Sequence, residues 1–257
     1  MLARTFLRLC ALEAVRPSVL LAANGPWPTL GAKYWFDSRL DPIDDVSEDE
    51  RRPVGVIYTE DGDLDRIAQS GPLFYKSAVD LTFEISVIAT DREEGETEFT
   101  PGIAVTDTEL EASLDVFEDQ IFHALHYGPT GALFRKIVKL PFLTWQSKPL
   151  RSSQEGVRLA ARTIKSKINV KDICYQAVPA APPTGLDRLP PALKEVALAL
   201  DGSTYLAKIA VGVAGAAPVM PARTNLETVG LTADQRTAST PADSESAVVA
   251  DVSNLQG

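Results

Sequence analysis

The longest regular signal in the chain is an alternation of apolar and polar side chains from Ala78 to Asp91. Val79, Leu81, Phe83, Ile85, Val87 and Ala89 alternate with Asp80, Thr82, Glu84, Ser86, Ile88 and Thr90. A period of two over a dozen residues predicts a strand with one buried face and one mostly wet face. At about 3.3 Å per residue it spans roughly 40 Å. The same period returns in VRLAARTIKSKINVKDICYQ. There Ala160, Arg162, Ile164, Ser166, Ile168 and Val170 share one face, and Leu159, Ala161, Thr163, Lys165, Lys167 and Asn169 the other. Its basic residues fall mainly on the wet face, with Arg162 an exception. Shorter strands are predicted over RPVGVIYTE, stopping at the turn signal Asp61-Gly62, and near Thr144 to Leu150, before a turn at SSQEG.

The helical period appears elsewhere. Leu110, Leu114, Phe117 and Ile121, with Val116 and Leu125 beside them, form an apolar stripe. Thr106 or Thr108 can cap this helix, each with a glutamate three residues on, Glu109 and Glu111. Gly128-Pro129 closes it. At the chain start, Leu2, Phe6, Leu9, Cys10 and Leu12 predict an amphipathic helix ended by Pro17 and by Asn24-Gly25-Pro26. Arg8, Glu13 and Arg16 interrupt the apolar run that a secretory signal needs. A mitochondrial transit segment is the other reading of an arginine-bearing, acid-poor start.

After the proline-rich AVPAAPPTGLDRLPP, the segment ALKEVALAL predicts a short helix using Leu193, Val196, Ala197 and Leu200. TYLAKIAVGVAGAA reads as a small-residue, strand-like segment. The succession predicts an α+β fold with a mostly antiparallel sheet and helices packed on it. A soft boundary falls near Pro179 to Pro183. This divides the chain into a main domain over 1–178, a proline-rich joint with a short helix and strand over 179–217, and a tail over 218–257. The tail is rich in Ala, Thr, Ser and Asp and has no aromatic residue, which predicts an extended or disordered segment.

Charge changes the picture more than composition does. Of 257 residues, 45% are hydrophobic and 23% charged, ordinary for a globular protein, and no apolar run reaches the eighteen residues of a membrane span. The net charge of -10 argues against a general nucleic-acid binder. It is unevenly spread. From Asp37 to Asp119 there are 24 acidic against 6 basic residues, and from Arg135 to Asp172 there are 10 basic against 2 acidic. Solvated faces on separate elements explain such runs most simply. The sharper expectation is head-to-tail self-association, in which Arg158, Lys165, Lys167 and Lys171 line an interface or lumen. The acidic loops carrying Asp44, Asp45, Glu48 and Glu50, and Glu93 and Glu94, would then supply the opposing surfaces.

Candidate chemistry is sparse. Cys10 and Cys174 form no C-x-x-C pair and no metal-ligand spacing, so buried free thiols are expected, with an intersubunit disulfide left open. His123 and His126 share a helical face but have no predictable third ligand; a helix-end role next to Gly128 fits them better. The acidic run Asp61 to Asp65 has Arg66 and Pro72 where a calcium loop needs glycine and glutamate. No phosphate loop, dinucleotide fingerprint or nucleophile elbow occurs. No catalytic residue, metal or cofactor is therefore assigned. Tyr34-Trp35-Phe36 is either a partner platform or a core anchor.

The order of these segments resembles a known family. An N-terminal helix from Leu2 to Val15 precedes RRPVGVIYTED and KSAVDLTFEISVIATD; LEASLDVFEDQIFHAL and VRLAARTIKSKINVKD follow. Over roughly residues 1 to 178 this is similar to the tail terminator proteins of long-tailed bacteriophages. The resemblance implies a tail-terminator-like fold and a virion location at the head-proximal end of the tail. It also implies a homo-oligomeric ring, typically a hexamer, that caps the tail tube and ends its polymerisation. Tail tube protein and neck or connector proteins are its implied partners, with genome DNA passing through the lumen without sequence-specific binding. Everything after Pro179 departs from the pattern. A head-tail connector is the alternative, and a small cytosolic α+β enzyme a more distant one.

Overall fold

The computed structural model describes residues 2–38, 52–66, 75–88, 100–102, 104, 106–154, 157–171 and 183–217. Its centre is a five-stranded sheet ordered β1-β2-β3-β5-β4, formed by β1 (Trp35–Asp37), β2 (Val54–Arg66), β3 (Tyr75–Ile88), β4 (Val138–Gln154) and β5 (Val157–Val170). All neighbours are antiparallel except the short β1, which runs parallel to β2. The two strongest alternating patterns in the sequence are two of the three inner strands, β3 and β5, paired from Ser77 opposite Val170 to Ile88 opposite Leu159. The fold is thus α+β, with an antiparallel-rich sheet.

Alternation decides which way the sheet faces. Leu81, Phe83, Ile85 and Val87 of β3 and Ile164 and Ile168 of β5 point into one core with two helices, α1 (Leu2–Val15) and α3 (Asp107–His126). Thr106 caps α3, its hydroxyl accepting from Glu109 N while the Glu109 carboxylate accepts from Thr106 N. Of the two threonines the sequence offers, the box therefore forms on the first. Leu110, Leu114, Phe117 and Ile121 are buried as their spacing requires. The aromatic trio is settled by Trp35, which is fully buried. Its indole N–H donates to Thr29 Oγ1 at 2.8 Å, and it meets Phe117 and Phe83 edge-on.

Several expectations are corrected. TYLAKIAVGVAGAA is not a strand but a helix, α6 (Tyr205–Ala216), capped by the Thr204 side chain. Alanine is the best helix former, and the small residues let Leu206, Ala207, Ala210 and Ala214 sit close against their neighbours. The predicted turn at Asp61-Gly62 is a bulge: β2 continues to Arg66, with its register on β3 shifting between Thr59 and Gly62. The short strand expected at Thr144 to Leu150 is the middle of a 17-residue edge strand. The far face of β3 is not wet along its length, because Asp80, Thr82 and Ser86 are buried between two long neighbouring strands.

The first helix also departs from the amphipathic picture. Nine of its residues are buried, on more than one face, because it lies between the sheet and a further helical pair. That pair is α5 (Pro191–Ala199) and α6, which join the same apolar core through Leu193, Val196, Leu206 and Ala210. The first helix ends at Val15, just before Pro17; a separate short helix, α2 (Ser18–Ala23), follows, buries none of its residues and stops at Asn24. A last short helix, α4 (Ala132–Ile137), delivers the chain from α3 into β4. The segments 172–182 and 218–257, with Cys174 and the expected tail, lie outside the described residues.

Candidate interaction surface

The described helices that meet the sheet, α1, α3 and α4, do so on its core face, and on the opposite face strand side chains meet each other. Antiparallel pairing sets the rows of this second face. One row runs from Tyr58 through Thr82 and Lys165 to Gln146; another runs from Asp80 through Lys167 to Thr144. Directly opposed or diagonal positions lie within reach of long side chains. Lys165 Nζ accordingly sits 2.7 Å from Glu60 Oε2 and 3.0 Å from Asp80 Oδ2. Lys167 Nζ sits 2.6 Å from Asp63 Oδ2. The Tyr58 hydroxyl donates to Glu84.

These pairs move the titrations of their members. Hydrogen bonds to Glu60 and Asp80 push Lys165 up, and the Lys167 ammonium holds the Asp63 carboxyl below its usual range. Burial, then the bond to Glu84, pushes the Tyr58 phenol up. On this face Glu60, Asp63, Asp80 and Glu84 stand against Lys148, Lys165 and Lys167. The result is a polar surface of nearly balanced charge. Val54, Val56, Ile88 and Ala161 are buried on the same face but outside the helix-facing core.

Of the positions selected from sequence, the sheet brings Lys165 and Lys167 together with strand carboxylates. Lys171 is exposed beyond the end of β5 and donates to Arg135 O at 3.2 Å. Arg158 lies in β5 opposite Ser153, and its side chain is outside the description. Asp44, Asp45, Glu48, Glu50, Glu93 and Glu94 all lie outside the described residues.

Arg162, a basic residue on the core side of β5, has its reason in α3. Its guanidinium meets Glu111 at 3.1 Å, Asp115 at 2.8 Å and Glu118 at 2.9 Å, three carboxylates one helical turn apart. Burial disfavours the charge, but the bonds to Glu118 and Asp115 outweigh it and raise the Arg162 pKa. Glu118 also accepts from Trp145 Nε1 at 2.8 Å and from the Ser147 hydroxyl at 2.9 Å, so it ties α3 to both β5 and β4.

Sequence reasoning missed a second cluster. Where β4 shifts register between Lys139 and Thr144, Phe142 and Trp145 reach the C-terminal end of α3. The His126 ring stacks on Phe122 at 4.0 Å and lies 4.2 Å from Phe142. Its Nδ1 is 3.2 Å from Phe122 O, and burial among these rings lowers its pKa. Both histidine rings lie 5.8 Å from the Tyr127 ring. Tyr127 and Leu143, 70% and 45% exposed, form the outer rim. No signal in the sequence announces a register shift, which is why these aromatics remained unconnected there.

Among the described residues no three His, Cys, Asp or Glu side chains are grouped to hold a metal ion. No described helix is long and apolar enough to cross a membrane. Cys10 is a free thiol in the core, its pKa raised by burial and then by Glu13. No protein-family model matches the chain, and no curated protein sequence matches it.

Proposed function

We propose that this chain is a structural subunit of a ring that caps the tail tube of a long-tailed bacteriophage. It ends tube polymerisation and presents the surface to which the head is joined. The observation that carries the reading is the face of the sheet turned away from the described helices. Its Lys165 and Lys167 are matched by carboxylates of neighbouring strands, which leaves little free positive charge at their positions. Such a face suits the wall of a passage for DNA, because it neither grips phosphates nor repels them strongly. Support also comes from the order of segments, with its helix, paired long strands and second helix resembling tail terminators. No bond is made or broken in this reading.

The test is native mass measurement and negative-stain imaging of the full chain, alone and with tail tubes of its phage. Discrete rings, or density at one tube end only, are expected. Binding to portal or adaptor rings in place of tube ends would favour a neck protein. A monomer that ignores tubes would remove the reading.

A further inference from the structure

Most described cations of this chain that meet a carboxylate do so inside their own fold: Arg8 with Asp37, Arg162 with α3, Lys165 and Lys167 with β2 and β3, Lys194 with Asp187. Four neighbouring cations do not. Arg135 and Lys136 end α4, Lys139 opens β4, and Lys171 follows β5. They are held together by backbone geometry. Lys171 N donates to Ile137 O at 2.7 Å, Lys171 Nζ to Arg135 O at 3.2 Å, and Val138 pairs with Val170. Lys136, Lys139 and Lys171 are exposed, and none of the four has a carboxylate partner among the described residues.

The aromatic cluster borders this patch. Arg135 Nη1 donates to Leu125 O at 3.1 Å, one residue before His126, and Phe142 lies 5.9 Å from Phe134. Tyr127, which meets the Phe122 and His126 rings, and Leu143, next in sequence to Phe142, are exposed apolar side chains. We infer that the cationic patch of Arg135, Lys136, Lys139 and Lys171, with Tyr127 and Leu143 beside it, is the surface on which a second copy of this chain docks through acidic side chains.

Charge chooses the occupant. The chain carries 35 acidic against 25 basic residues, so two copies repel except where cations without a carboxylate partner among the described residues meet the acidic remainder. A patch that joins a different surface of its neighbour makes a head-to-tail contact, the kind that closes into a ring. Single-stranded nucleic acid is disfavoured by the same net charge. It is disfavoured again because the ring faces it would stack on are engaged with each other, Phe122 on His126 and Phe142 on Trp145 at 5.8 Å.

This inference rests on the ring-subunit reading and adds where the contact lies. The experiment compares native mass and sedimentation of the full chain across salt for wild type, K136E/K139E, L143D and, as a charge-matched control, K208E on the exposed side of α6. Circular dichroism checks that each variant is folded. Wild type and K208E are expected to assemble at low salt and dissociate as salt rises, with K136E/K139E and L143D each weakened about tenfold or more. Assembly of K136E/K139E equal to wild type would overturn this patch and leave the ring reading intact. A wild type that stays monomeric at all salt concentrations, with and without tubes, would overturn both. Binding of a fluorescent oligonucleotide to wild type, lost in K136E/K139E while assembly persists, would overturn it in favour of nucleic acid.

Discussion

At the scale of single residues, the tightest constraint is the space under Trp35. A Cβ added at Gly55 would lie 2.4 Å from Trp35 Cε3 and Cζ3, and one at Gly31 would lie 2.6 Å from its Nε1. The indole cannot retreat, because Phe83 and Phe117 hold its other sides and Thr29 holds its N–H. Gly55→Ala should therefore cost about 1–3 kcal/mol in urea unfolding, the range for overpacking a filled core. His126 supplies a pH signature. Its folded pKa is depressed by burial, so the unfolded chain binds the proton more tightly. Stability from keeping this ring neutral is complete above the unfolded value of about 6.5 and is lost as pH falls through the folded value. The melting temperature of His126→Phe, which keeps an aromatic ring against Phe122 and Phe142, should fall less between pH 7 and pH 5 than that of wild type. Parallel curves would show that His126 stays neutral, or is equally well solvated, in both states.

Elements depend on ties that join them, and Arg162 is the one that joins α3 to the sheet. Its side chain is 11% exposed, and three carboxylates converge on its guanidinium. Removing the cation leaves mutual repulsion between groups one turn apart and frees Glu118, which also holds Trp145. Arg162→Met should destabilise the fold by about 1–3 kcal/mol, and the deficit should shrink in high salt because Asp115 and part of Glu111 are wet. A deficit that ignores salt would point to lost packing of the arginine stem instead. The same element shows how far sequence carries. The apolar stripe and capping box of α3 were legible, as were the faces of β3 and β5, because each rests on periodicity within one segment. The oddity of Arg162 on the core side was visible too, but not its partners, which lie 44 to 51 positions away. Long-range register is likewise silent in the sequence. Asp61-Gly62 serves a turn or a bulge equally well, and the bulge forms because β3 continues beside it with Val79, Ala78 and Ser77 as partners. Of the candidate surface, Lys165 and Lys167 were found as wet cations, while their pairing with Glu60, Asp80 and Asp63 needed the strand order.

At the scale of the molecule, the question is whether the last helices belong to the fold or only hang from it. The proline-rich joint reads as a boundary, yet α5 and α6 pack on α1 rather than on each other alone. The first helix is consequently covered by the sheet on one side and by α5 and α6 on the other. Leu206 is 2% exposed in that contact, and Ala210 and Ala214 are fully buried beside it, so truncating Leu206 opens a cavity that a stiff, small-residue helix cannot close. Leu206→Ala should cost about 2–5 kcal/mol. If the helical layers unfold as one cooperative unit with the sheet, wild type and Leu206→Ala each melt in a single transition, shifted as a whole and coincident by tryptophan fluorescence and far-ultraviolet circular dichroism. Trp35 and Trp145 report the sheet side, since both contact Phe83. An early loss of helix with unchanged tryptophan emission would instead define α5 and α6 as a separately melting cap. In that case α1 would have to hold its outer face without them. Nine buried residues spread over several faces make that costly, so a single transition is the outcome the packing requires.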